Sequence, residues 1–317
     1  MTILHSFSAA LRHVVVLAGL SLCLFPLTGA HAAYPDRPVR LLVPYGPGGT
    51  TDLIARQFAD QLSRRLGQPV VIENRPGAAT NIAAQALANA EPNGYTLMLV
   101  TNQLTINSVF GPVPAMDPID GFAPVRMVAE IPFAVGVDAK SPLKSAADLV
   151  VAGRAKESTI SHAQFEPQMR LLSSALGIPL LGVPYQGGAQ ALTAVLSGEV
   201  AGMLSAVPAM SAQVKAGKMR LIGVTSARRI AGIPDVPTFA EQGFAKFNTT
   251  AWMAILTPKR TPDSVLQRLG DATSESVRDP AFVEQLRSMG AEPLEANASE
   301  TVARMKAELL MWRALSR

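Results

Sequence analysis

The stretch that most constrains the fold is residues 43–52, VPYGPGGTTD. Ahead of it, residues 39–43 are an apolar, β-prone run. Behind it, Ile54, Phe58, Leu62 and Leu66 recur at every fourth position, with Leu53, Ala55 and Ala59 beside them. Apolar side chains at that spacing share one face of a helix. The segment therefore predicts a strand that ends in a Pro/Gly turn and a helix that begins at Thr50 or just before it. The first N–H groups of a helix have no partner inside it, and the aligned peptide dipoles add about half a positive charge there. Gly48 and Gly49 carry no side chain to hold a ligand off that backbone. The turn suits an anion; it is equally compatible with an ordinary strand-to-helix connection. No Lys follows the glycines, so it is not the phosphate loop of nucleotide hydrolases.

The rest of the chain repeats the strand–helix alternation. Gly67 is a candidate C-cap, residues 70–73 read as a strand, 81–90 as a small-residue helix broken at Pro92-Asn93-Gly94, and 95–100 as a strand. That β-α-β-α-β order builds a parallel sheet with helices on both faces. Residues 122–137 are extended and punctuated by prolines. A second series then follows, with helices over 147–155, 167–176, 189–196 and 209–216 and strands over 159–161, 180–183, 200–204 and 219–225. Residues 252–256 are a further strand, and 262–277, 281–289 and 300–315 are helical. The pattern predicts an α/β chain that leaves one lobe, builds a second and returns. Ligands in open α/β sheets bind beyond the carboxyl ends of strands, here in a crevice between lobes.

Composition narrows the function classes. The 317 residues are 48% hydrophobic and 16% charged, a globular balance ample for two domains. The net charge of +4 comes from scattered basic residues, and aromatics make up 5%, so no basic stripe is present to bind nucleic acid. At the N-terminus, Arg12 and His13 precede an apolar run over residues 14–27, and Ala30-His31-Ala32 is a small-x-small cleavage site. These features predict a secretory signal peptide over residues 1–32, since the run is shorter than the roughly 20 residues of a membrane span. Cys23 lies inside the run, and bulky Leu22 before it argues against a lipoprotein signal. The mature chain would hold no Cys and one His, His162, which excludes thiol chemistry, disulfides and a His-rich metal site. An enzyme needs a nucleophile with its base, a metal constellation or a cofactor fingerprint, and no G-x-S-x-G elbow is present. The residues point to non-catalytic binding, with no cofactor.

A series of blocks carries a family resemblance. YPDRPVRLLVPYGPGGTTD (34–52), VIENRPGAAT (71–80), EPNGYTLMLV (91–100) and DGFAPV (120–125) are followed by VPYQGGAQALTAVLSGEV (183–200), KAGKMRLIGVTSARR (215–229) and PDVPTFAEQGF (234–244). In this order they resemble the Bug family, the TctC-like extracytoplasmic solute receptors of tripartite tricarboxylate transporters. The resemblance implies a type II periplasmic binding protein fold, with residues 33–130 plus 253–317 as the first lobe and 131–252 as the second. It also implies a periplasmic monomer that takes a small carboxylate-bearing ligand into the cleft and hands it to membrane transport subunits. A periplasmic sensor that presents its ligand-bound form to a signalling receptor would use the same cleft.

On this sequence the matching site positions are Tyr45, Gly48, Gly49, Thr50, Thr51 and Asp52 in the first loop and Thr101, Asn102 and Gln103 after the third strand. Tyr185, Gln186, Gly187 and Gly188 match in the second lobe. Backbone amides, hydroxyls and water orient an anion without a buried counter-charge. Asp52 also reads as a first-turn acid that complements the helix dipole, and Tyr185 as a group that stacks on or hydrogen-bonds to the ligand. Two departures bear on specificity. Relatives carry a Gly/Ser-rich loop where this chain has Ile160-Ser161-His162-Ala163-Gln164-Phe165-Glu166, so Ser161 and His162 become the candidate contacts there. Ser205 stands where relatives often have Asp, which removes an acid suited to a ligand ammonium.

Overall fold

The computed structural model describes residues 34–111, 116–155, 159–162, 166–185 and 188–316. The expected leader lies outside these residues, as do Gln186 and Gly187. The first unit forms as its sequence demands. Strand β1 (Val39–Val43) leads into helix α1 (Thr50–Leu66), whose Ile54, Ala55, Phe58, Ala59, Leu62 and Leu66 are buried on one face. Leu53, expected beside that face, is exposed. Gly67 caps the helix in the left-handed conformation, φ 73°, with its N–H on the Ser63 carbonyl.

The chain continues through β2 (Val70–Asn74), a 3-10 turn (Ala78–Thr80), α2 (Asn81–Ala88), β3 (Thr96–Thr101), α3 (Gln103–Phe110) and β4 (Phe122–Asp138). Next come α4 (Ala146–Arg154), β5 (Thr159–His162), α5 (Glu166–Leu176), β6 (Leu181–Pro184), α6 (Gly188–Leu196), β7 (Gly202–Ala206), α7 (Val207–Lys215) and β8 (Met219–Val224). The remainder is β9 (Thr250–Pro258), α8 (Asp263–Arg278), α9 (Pro280–Ser288), β10 (Glu292–Pro293) and α10 (Ala298–Leu315). Helix α3 and the two-residue β10 have no counterpart in the sequence reading; the other elements fall within a few residues of it.

Strand order runs β2-β1-β3-β9-β4-β7-β5-β6, with β8 and β10 also on β4. Strands β2, β1 and β3 are parallel, as are β7, β5 and β6, and every pairing made by β9 or β4 is antiparallel. The 17 residues of β4 serve both halves of the sheet. Phe122 to Pro132 pair with β9, and Phe133 to Asp138 pair with β7 and β8. Pro124 sits at a register shift, where a missing N–H costs no ladder bond.

The core divides along the same line. Leu42, Met98, Val100, Trp252, Leu256 and Met305 pack in one cluster, and Phe133, Val135, Leu172, Phe239, Phe247 and Trp312 in another. Helix α10 reaches both, through Met305 and Trp312. The Trp312 ring meets Phe110 of α3 edge-on at 6.2 Å. Among the described residues, no helix is long and apolar enough to cross a membrane.

Candidate ligand-binding site

A cavity of about 430 Å³ opens where β4 and β9 pass between the two halves of the sheet. Tyr45 and Thr51 reach it from the β1–α1 loop and the first turn of α1. Thr101, Asn102 and Gln103 reach it from the end of β3 and the start of α3, and Pro167 and Gln168 from the first turn of α5. Three helix starts therefore border one space, each with N–H groups that lack an intrahelical partner. Ile106, Asn107 and Phe110 of α3, Ile131 and Phe133 of β4, and Ala251 and Met253 of β9 complete the lining. Among the described residues, no charged side chain lines it.

The polar groups are held in place by their neighbours. The Tyr45 hydroxyl lies 2.5 Å from Thr101 Oγ1; burial pushes its pKa up against the opposing effect of that bond, so the phenol stays neutral. Gln103 donates through Nε2 to Asn107 Oδ1 at 2.6 Å, and Asn107 Nδ2 donates to the Ala79 carbonyl. Ala79 lies in a turn where Ala78, Ala79 and Thr80 all have positive φ, so this bond braces a strained backbone. Asn102 differs. It is 5% exposed, its backbone N–H donates to the Trp252 carbonyl, and its buried Nδ2 has no hydrogen-bond partner. The Asn102 side chain faces the buried Glu308 carboxyl and not the solvent.

Asp52 has a structural role. Its carboxylate is 1% exposed and accepts from the Gly48 N–H at 2.9 Å, Asn74 Nδ2 at 2.8 Å and Arg56 Nε at 2.9 Å. Burial alone would raise its pKa; the hydrogen bonds and the Arg56 charge outweigh burial and hold it at about 2. This network engages the Gly48 amide and ties the loop to β2. Gly48, at φ 88°, occupies a conformation that favours glycine, and Gly49 is the N-cap residue of α1. Gly48, Gly49 and Thr50 are exposed at the loop, outside the cavity lining.

Ser161, His162, Tyr185 and Ser205 stand at the carboxyl ends of the adjacent parallel strands β5, β6 and β7, where His162 pairs with Pro184 and Leu204. Ser205 is buried in β7 opposite Ala134 and is not among the lining residues. Tyr185 donates its hydroxyl to Glu199 Oε1 at 2.9 Å and lines a separate depression with Ala189, Gln190 and Thr193. Ser161 and His162 end β5, paired with Val183 and Pro184 of β6, and Gly188 opens α6. The sequence reading missed Ile106, Asn107, Phe110, Ile131, Phe133, Pro167, Gln168, Ala251 and Met253. For Gln168, the signal was its place in the first turn of an expected helix. The two ordered halves of the lining otherwise meet only through tertiary structure.

Comparison with known proteins gives the arrangement its context. Residues 54–316 match the model of the tripartite tricarboxylate transporter family receptor, TctC. A UPF0065 protein of Bordetella pertussis is 34% identical over 292 residues, covering 89% of this chain and 88% of its own length. The solved structure of Rhodopseudomonas palustris Rpa4515 with adipate is 30% identical with a TM-score of 0.72, covering 89% of this chain and 97% of that one. MatC from the same organism, with bound malate, is 27% identical with a TM-score of 0.70, covering 90% and 100%. These are solute-binding receptors, and the chain described here belongs to the TctC family of periplasmic binding proteins.

Proposed function

We propose that this protein is a periplasmic receptor for a small dicarboxylate, which it captures between two lobes and delivers, as a monomer, to the membrane subunits of a tripartite tricarboxylate-type transporter. The signal peptide over residues 1–32 would export it. The lobes are residues 33–130 plus 253–317 and residues 131–252, connected through β4 and β9. The observation that carries the reading is the cavity lining itself: neutral amides, hydroxyls and three helix starts, with no charged side chain among the described lining residues. Such a set favours an anion with several oxygens and gives a cation no counter-charge. The relatives that hold adipate and malate support a diacid of four to six carbons in a space of this volume.

The test is calorimetric titration of the mature protein with adipate and malate, each against its monoamide. A hydrogen bond to a charged group is worth about 1.5–3 kcal/mol, so the amide should bind at least about tenfold more weakly. Gly49→Val provides a second arm. A Cβ at Gly49 meets no atom within 4 Å, so the variant should fold, and its isopropyl group would stand two residues from the lining residue Thr51, at the start of α1. Equal affinity for acid and amide, together with unimpaired binding by Gly49→Val, would overturn the reading.

A further inference from the structure

Behind the cavity sits a carboxyl group that the binding reading does not use. Glu308 of α10 is 9% exposed. Its Oε2 accepts from Thr105 Oγ1 at 2.8 Å and from Trp252 Nε1 at 2.9 Å. Thr105 belongs to α3, the helix whose Gln103, Ile106 and Asn107 line the cavity, and Trp252 lies between the lining residues Ala251 and Met253 on β9. One oxygen thus fastens together the two elements that form this wall. The Asn102 side chain faces the same carboxyl and, like Thr105 and Trp252, favours its ionised form.

The charges around Glu308 are few. Neither α3 nor β9 has a titratable side chain in its sequence. On α10, Arg304 lies one turn earlier, but its Nη2 is shared between Glu130 Oε2 at 3.2 Å and Thr250 Oγ1 at 2.6 Å. Of the other elements packed on α10, β4 contributes Arg126, which pairs with Glu295, besides Glu130 and the distant Asp138; α5 contributes Glu166 and Arg170 by sequence. Burial pushes the Glu308 pKa up to about 7, against the hydrogen bonds from Thr105 and Trp252 and the Arg304 charge. This group therefore changes charge in the neutral range, directly behind a wall that lacks charge.

We propose that Glu308 is a positioning residue whose proton sets the affinity of the cavity for carboxylates. With Glu308 protonated, the wall behind the ligand is neutral, held together by the Thr105 and Trp252 bonds to Oε2. With Glu308 ionised, a buried negative charge stands behind the anion. Anion binding and Glu308 ionisation then oppose each other, and by linkage the protein must take up protons as the ligand binds. The inference rests on the carboxylate reading and adds a direction to it: affinity falls as pH rises through neutrality.

The experiment titrates the mature protein with adipate and with malate at pH 6 and pH 8, each in two buffers of different ionisation enthalpy. Expected are net proton uptake near pH 7 and affinity about tenfold weaker at pH 8, within the usual range of coupling between two sites. Glu308→Gln keeps an acceptor for Thr105 and Trp252 and should bind equally at both pH values, with no proton uptake. A merely structural Glu308 would alter stability and leave the pH slope in place. His162 remains in the variant, so a slope carried by that imidazole would survive and overturn the assignment. If the variant fails to fold, proton uptake by the native protein still decides. Binding without uptake and without pH dependence overturns the inference alone; no binding of either diacid at either pH overturns the carboxylate reading and the inference with it.

Discussion

Asp52 shows how one buried carboxylate orders the loop that borders the cavity. Its buried carboxylate draws in the Gly48 N–H, the Asn74 amide and the Arg56 guanidinium, fixing a turn whose glycines would otherwise leave it loose. The folded pKa, about 2, lies below the ordinary Asp value of 3.8. Between those values the unfolded chain binds more protons than the folded one. The stabilisation is therefore complete above about pH 4 and lost as pH falls toward 2. Asp52→Asn should lower stability at pH 7 by about 1–2 kcal/mol, below the sum for charged hydrogen bonds because Arg56 is half exposed and screened. Urea denaturation at pH 7 and pH 2.5 checks this: the gap between native and variant should narrow to about a third at the lower pH, where the folded carboxylate is still partly ionised. A gap that persists there in full would mean that geometry, and not the charge, holds the turn. Glu308 has the opposite sign, since its folded pKa is raised: its contribution is complete below the unfolded value and declines as pH rises toward 7.

Among the elements, α1 was legible in full and α3 was missed, and the reason lies in their partners. Helix α1 buries an apolar face against the sheet and α9, where Phe58 meets Phe282 at 6.1 Å, and it turns Arg56, Asp60 and Arg64 to solvent. That division is written in the spacing. Helix α3 buries Thr105 and Asn107 along with Leu104 and Ile106, because Thr105 is satisfied by Glu308, 203 residues away, and Asn107 by the Ala79 carbonyl. No local pattern announces such partners. The same logic divides the site. Tyr45, Thr51, Thr101, Asn102 and Gln103 stand at strand ends next to helix starts, where sequence reasoning looks, whereas Phe133, Gln168 and Met253 join them only once β4 and β9 have crossed. If α1 is the anchor its spacing implies, Phe58→Ala should destabilise the protein by about 3–5 kcal/mol through lost burial and a residual cavity. Thermal and urea unfolding would measure it. A loss below about 1 kcal/mol would mean that the helix is held by its polar contacts.

At the scale of the whole molecule, the cavity is shared between the two halves of the sheet, and that sharing dictates how a ligand can move them. Tyr45, Thr51 and residues 101–107 belong to the first lobe as proposed above, and Phe133 and Gln168 to the second. Between the lobes run β4 and β9, with Thr250 bonded to Glu130 and Arg304 at the crossing. A ligand shifts an open–closed equilibrium only by the contacts it makes better in the closed state. Driving such an equilibrium from 1:99 to 99:1 takes about 5.5 kcal/mol of preference, the worth of roughly two to four hydrogen bonds to a charged group. Three helix starts around one diacid can supply that number, provided that the second lobe contributes its share through the first turn of α5. Small-angle scattering of the mature protein should therefore show compaction when adipate is saturating. Gln168→Ala removes a donor that only closure would bring to the ligand. At about 2 kcal/mol lost, the closed:open ratio at saturation drops about thirtyfold, from 99:1 to roughly 3:1. The scattering curve of that variant should settle between the free and fully bound forms even when every site is filled. Full compaction of the variant would place the closing contacts elsewhere, and no compaction of the native protein at saturation would remove lobe closure from the account of binding.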